Sequence, residues 1–234
     1  MESNSINFLT VTLATDAEIV SENLLQINKI YNNVKLFVIC PKKDNEIFNQ
    51  TLISNNYEII NEEELLTFDE FKNIFEKLSC NLDYKEQFQK RLQWYYALIL
   101  KFCFIHKYYE VNNENLVIWE GDTVVLKKIK FFKNNRSIPY CYVSYFHQIY
   151  VDTCKELLGN LPKFYGSFIT QFGSITKDEA IHLFNSLKLN ELDNKTFNLL
   201  FSEKILQTIF KIHKTYDNAM FADYELIGIN NLNK

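Results

Sequence analysis

The sequence predicts one α/β domain with a mixed, mostly parallel sheet flanked by helices. Three observations predict it. Short, continuous apolar runs alternate with helical patterns over the first sixty residues, as parallel strands joined by crossover helices require. The 234-residue chain is 47% hydrophobic and 15% aromatic, enough to build one sizeable core. With only 5 Gly and 3 Pro there is no linker-rich stretch at which to divide it, and no internal repeat is visible.

The elements follow in order. Residues 6–14 (INFLTVTLA) read as a strand that stops at Thr15-Asp16, where a helix over 17–31 begins. VKLFVICP (34–41) is a short apolar run closed by Pro, the pattern of a buried parallel strand. A weaker helix over 44–54 and a strand at 57–60 complete the opening half of a nucleotide-binding fold. A short helix spans Thr67–Ser79, and residues 84–109 form the longest helical signal, aromatic on most faces. NLVIWEGDTVVLKKIKFF reads as a strand, a tight acidic turn and a second extended piece. Strands at 139–146 and 167–172 and helices at 149–158, 176–187 and 196–214 follow, and FADYELIGINNLNK carries no clear pattern.

Charge and composition narrow the class. A net charge of −4 lacks the basic surplus that phosphate-backbone binding needs, which argues against a nucleic-acid partner. The local basic run from Lys127 to Lys133 reads as a solvated edge, with a phosphate or an anionic lipid surface as the alternative. Five scattered cysteines without C-x-x-C spacing suit a reducing cytoplasm. The N-terminus lacks a signal-peptide pattern, and no run approaches a spanning helix. The expectation is a cytoplasmic protein, peripheral to a membrane at most. P-loop, dinucleotide-fingerprint, nucleophile-elbow and zincin motifs are all missing.

The chemistry concentrates in LVIWEGDTV. An apolar strand delivers Glu120 and Asp122 into a turn relaxed by Gly121, and two carboxylates so placed can share a divalent cation. A strand end in an open α/β sheet is also where ligands bind.

The succession RLQWYYALILKF, LVIWEGDTVVLKKIKFF, SYFHQIYVDTCKELLG, YGSFITQFGSITKDEAIHLF and FADYELIG is similar to a family of bacterial glycosyltransferase-like proteins associated with surface polysaccharides. The resemblance covers about residues 6–230 and implies a glycosyltransferase A-like fold. It divides the single domain, residues 1–234, into a nucleotide-binding half (about 6–120) and an acceptor half (about 121–234). It implies a nucleoside-diphosphate sugar as donor, Mn²⁺ or Mg²⁺ as cofactor, and a glycan or lipid-linked acceptor. Family members carry Asp-x-Asp at the metal turn, so Asp122 matches and Glu120 departs by one methylene. Phe172-Gly173 is a second departure, where members are bulkier.

Carried over by position, Arg91 and Lys101 match basic residues that touch the donor phosphates or base, against the alternative that each extends out of an aromatic helix to solvent. Asp16 stands where the base or ribose is recognised, and equally where a helix N-cap belongs. Asp223 or Glu225 becomes the base that deprotonates the acceptor, with a surface helix start as the alternative. His147 is the best-placed histidine for a ligand or acceptor contact, His213 is a candidate third metal ligand, and Trp119 or Tyr145 is a sugar-stacking ring, with core packing as the alternative for the aromatics. The competing functions are a catalytically inactive binding or scaffolding module and a nucleotidyltransferase.

Overall fold

The computed structural model describes residues 5–143, 146–159, 161, 166–217 and 219–234. In chain order the elements are β1 (Ile6–Val11), α1 (Ala17–Ile30), β2 (Leu36–Cys40), α2 (Asn45–Thr51), β3 (Tyr57–Asn61), α3 (Phe68–Leu78), α4 (Lys85–Gln89) and α5 (Leu92–Val111). They continue with β4 (Asn115–Trp119), a hairpin of β5 (Phe132–Lys133) and β6 (Arg136–Ser137), α6 (Gln148–Leu158), β7 (Phe172–Ile175), α7 (Lys177–Ser186), α8 (Asn194–Ile212) and α9 (Asp223–Asn233).

The main sheet has the order β3-β2-β1-β4-β7. The first four strands are parallel, and β7 closes the edge antiparallel to β4. This is the mixed, mostly parallel α/β architecture that the alternation of strands and helices predicts. The inner strands β2 and β4 are almost wholly apolar because both faces are covered, whereas the edge strand β3 carries Glu58 and Asn61 and is partly buried. Leu9 pairs with Phe37 and Ile118, and these side chains meet α3, α5 and α8. Phe8 pairs with Leu36 and Val117, and this opposite face meets α1, α2 and Phe131.

Local signals set several boundaries. Thr67 with Glu70 and Thr176 with Glu179 form capping boxes that start α3 and α7. Glu179, buried, also accepts from the Ser137 backbone N–H at 3.0 Å, which fastens the hairpin to α7. The hairpin turns through Asn134 and Asn135, at φ 51° and 56°, as a two-residue turn with two left-handed positions needs.

Four expectations shift. The single helix over 84–109 is two, α4 and α5, broken at Lys90-Arg91. The extended piece after the acidic turn is irregular until the short hairpin. Ser167 makes only one bridge, to Tyr142, and the strand expected at 167–172 forms at 172–175 instead. The reason is Gln171, whose φ of 66° turns the chain into β7 one residue before the strand begins. Of the strand expected at 139–146, Tyr142 alone pairs among the described residues, and Ser144 and Tyr145 lie outside them. The unpatterned C-terminus is α9, buried on nearly every side, so it needs no amphipathic period. No helix among the described residues is long and apolar enough to cross a membrane.

Gly228 sets how closely α9 docks. A Cβ there would stand 2.2 Å from Cγ of Phe168, inside a rigid ring. Gly228→Ala therefore costs about 1–3 kcal/mol of overpacking, and thermal unfolding will show a Tm several degrees lower. An unchanged Tm would mean that the Phe168 ring moves aside freely.

Candidate active site

Strand order reverses between β1 and β4, and that is where open α/β sheets place ligands, beyond the carboxyl ends of the strands. A cleft lies there in two lobes. One, of about 360 Å³, is lined by Lys101, Glu120, Asp122, Tyr150, Asp223 and Tyr224, among others. The other, of about 480 Å³, is lined by Thr12, Asp16, Lys43, Glu62, Phe68 and Gln93, among others. Val11, Trp94 and Ala97 line both, and form the waist between them. On α5, Trp94, Ala97 and Lys101 recur at three- and four-residue spacing and share one face, with Gln93, Tyr96 and Leu100 beside it along the second lobe.

Lys101 is 2% exposed, so it does not extend to solvent. Its Nζ lies 2.8 Å from Glu120 Oε1 and 2.7 Å from Asp223 Oδ2. A buried ammonium survives only when such partners offset its desolvation. The two carboxylates raise the Lys101 pKa against the opposing effect of burial, so it remains charged. Glu120 is also desolvated, yet its pKa is lowered, chiefly by the Lys101 charge. Asp223, 3% exposed, has a raised pKa through burial, with the Glu120 charge adding to the effect. Tyr224 places its ring 4.8 Å from Lys101 Nζ. Its buried hydroxyl faces Glu120 but has no hydrogen-bond partner of good geometry among the described residues.

The acidic turn is held by its own backbone and by β1. Glu120 N–H donates to the Gln171 carbonyl at 3.0 Å, and Thr123 Oγ1 donates to the Glu120 carbonyl at 3.0 Å. Gly121 is required by close approach, since a Cβ would meet Thr12 Oγ1 at 2.6 Å and Thr12 Cβ at 2.8 Å. Asp122 is exposed and has no ion-pair partner among the described residues. Its carboxylate and the second oxygen of Glu120 are hard oxygen donors. Oxygen donors of this kind are the ligand type that a divalent cation takes. The described residues contain no cluster of three or more His, Cys, Asp or Glu side chains able to hold a metal alone.

Asp16 lines the second lobe. It stands at the N-cap of α1 without making a side-chain cap, and its Oδ2 instead accepts from Thr12 Oγ1 at 2.7 Å. Arg91 lines neither lobe; its guanidinium lies 4.4 Å from the Trp94 ring centroid. Glu225 is 0% exposed, and burial raises its pKa. Sequence neighbours Asp223 and Glu225 thus part company, and only Asp223 borders the cleft. The segment is a helix start, as its alternative reading expects, but a buried one.

His213 bonds Thr153 Oγ1 at 2.9 Å, and His147 stacks on Tyr150 at 4.1 Å. Trp119 is core, stacked on Phe172 at 5.3 Å. Tyr145 lies outside the described residues. Gly173, one of the two family departures, admits Tyr224, because a Cβ there would meet Tyr224 Cδ1 at 2.9 Å. Sequence reasoning missed Trp94, Tyr150 and Gln171 as cleft residues. For Trp94 a signal existed, its helical spacing from Lys101. Tyr150 and Gln171 come from connections whose path no local pattern reveals.

A scan against protein-family models returns no match, and no curated relative is found. Among solved structures, the chain is similar to mouse xyloside xylosyltransferase 1 in its apo form, at 9% identity and a TM-score of 0.46. That likeness covers 98% of this chain and 82% of the other. It is also similar to the mannosyltransferase Ktr4p of S. cerevisiae in complex with GDP, at 12% identity and a TM-score of 0.27. Here 50% of this chain and 33% of the other are covered.

The cluster generates a pH prediction. The Lys101 contribution to stability is complete below its unfolded value of 10.5 and fades as pH rises through its raised folded value. The Glu120 contribution is complete above its unfolded value of 4.5 and fades as pH falls through its lowered one. Lys101→Met leaves the buried Asp223 and the half-buried Glu120 uncompensated, at a cost of about 3–5 kcal/mol near neutrality. Urea unfolding should show a larger loss at pH 8 than at pH 5, where the carboxylates take up protons. Equal losses at both would place the destabilisation in packing instead.

Proposed function

We propose that the chain is a metal-dependent glycosyltransferase. It moves a sugar from a nucleoside-diphosphate sugar to a glycan or lipid-linked acceptor, in the assembly of a surface polysaccharide. The observation that carries this reading is the convergence of Glu120, Asp122, Lys101 and Asp223 on one cleft at the switch point of the sheet. The setting that goes with it is cytoplasmic, peripheral to the membrane that supplies the acceptor.

Asp122, with the second oxygen of Glu120, would hold Mg²⁺ or Mn²⁺. The bound cation supplies a Lewis acid that offsets charge on the departing diphosphate. Lys101, paired with Glu120 and Asp223, fixes both carboxylates beside the site and offsets part of their charge. Asp223 takes the proton of the acceptor hydroxyl as that oxygen bonds the anomeric carbon and the bond to the diphosphate breaks. Its raised pKa makes it a stronger base than a solvated carboxylate.

A nucleotide-binding module without turnover is the second reading. It is favoured by one observation, the commitment of Glu120 Oε1 to Lys101. Donor hydrolysis separates the two, since a transferase slowly hydrolyses its donor and a scaffold does not.

Two substitutions test the assignment. In Asp122→Asn, Mn²⁺ should no longer strengthen nucleoside-diphosphate binding, read as loss of the metal-dependent thermal shift. Enhancement equal to wild type would remove Asp122 from the site. Asp223→Asn should lower transfer by roughly 10²-fold or more, whereas Glu225→Gln should stay within a few-fold, in a donor-turnover assay. Comparable losses in both would reassign the base.

A further inference from the structure

The waist of the cleft is built on an aromatic side chain that the catalytic reading leaves unused. Trp94 is half-buried and lines both lobes. Arg91, one turn earlier on the same face, lays its guanidinium 4.4 Å from the indole centroid. Tyr95 meets the indole edge-on, at 4.9 Å. A bulky, flat ring is thus braced by its neighbours while it remains open to the cleft. Trp119 differs, being 5% exposed within the core.

The lobe beyond Trp94, away from the Lys101 cluster, has the composition that a heteroaromatic base needs. Leu13, Phe68 and Leu100 supply apolar walls, Thr12, Asp16 and Gln93 supply hydrogen-bonding groups, and Lys43 and Glu62 add one charge of each sign. Its volume of about 480 Å³ lies in the range of small-molecule sites. At the waist Ala97 presents a single methyl group and borders both this lobe and the one that holds Lys101 and Asp122.

We infer that Trp94 is the stacking platform for the base of the donor nucleotide, and that Arg91 is a positioning residue that acts through Trp94. The inference rests on the donor reading above and says where the base lies. It also changes the role that resemblance implies for Arg91, from phosphate or base contact to brace.

The test uses UDP and GDP, each with Mn²⁺, titrated into the full chain while tryptophan emission and melting temperature are followed together. Binding should change the emission in wild type. The change should disappear in Trp94→Phe, whose remaining tryptophan is buried. Trp94→Ala should weaken binding by roughly tenfold or more, the scale of one base–aromatic stack. Trp94→Phe, which keeps a smaller ring, should lose less and serves if the alanine variant fails to fold. Arg91→Met should weaken binding several-fold alone and add little in the Trp94→Phe background, because residues that act through one another are not additive.

A nucleotide that raises the melting temperature while emission stays constant, with Trp94→Phe binding as wild type does, overturns the inference and leaves the donor reading intact. Losses that multiply in the double variant overturn the role of Arg91 and return it to the ligand. Failure of every nucleoside diphosphate to stabilise the protein, with or without Mn²⁺, overturns the donor reading and the inference with it.

Discussion

A lysine ammonium buried between two carboxylates is the constraint on which the site depends. Removing Lys101 from water costs several kcal/mol, and removing Glu120 and Asp223 costs more. The three groups offset these costs only while α5, the turn after β4 and the start of α9 hold them within 2.8 Å. Segments far apart in the chain are therefore positioned by one ionic cluster. The cluster also leaves an excess negative charge beside the exposed Asp122. Such a field attracts cations.

Backbone economy surrounds this cluster. Gly121 lets the acidic turn lie against Thr12, and Gly173 lets the Tyr224 ring lie against β7 beneath Lys101. At both positions the missing methyl group allows a close approach that any other residue would block. Gln171 adds a left-handed backbone whose carbonyl receives the Glu120 N–H. Strain of this kind, of order 1–3 kcal/mol, persists where surrounding contacts over-determine it, and it clusters at functional sites. The turn that carries the two acids is thus held from three sides before any ligand arrives.

The division of the cleft follows from one face of α5. Trp94, Ala97 and Lys101 offer in succession a ring, a gap and a charge. A ligand with a flat end, a flexible middle and an anionic portion matches that succession, and a nucleoside diphosphate has this form. The lobe near Asp16 combines apolar walls with hydrogen-bonding groups, and the lobe near Asp122 holds the Lys101 ion cluster.

Much of this was legible in the sequence. The apolar strands, the two capping boxes and the helical periods specify local structure through contacts only a few residues long. The Glu120-Gly121-Asp122 turn was readable because a strand end has a known place in an α/β sheet. Trp94 and Lys101 lie seven residues apart on an evident helix, so their common face was also implicit. The rest depended on which distant groups meet. Nothing in the local pattern says that Lys101 pairs with Asp223, 122 residues away, or that Glu225 turns into the core while Asp223 turns to the cleft. The path from Gly166 through Gln171 and the burial of α9 were likewise decided by tertiary packing. The physical reason is that propensity and period act over one or two helical turns. Burial and charge pairing act through space, and only the folded chain sets which side chains share that space.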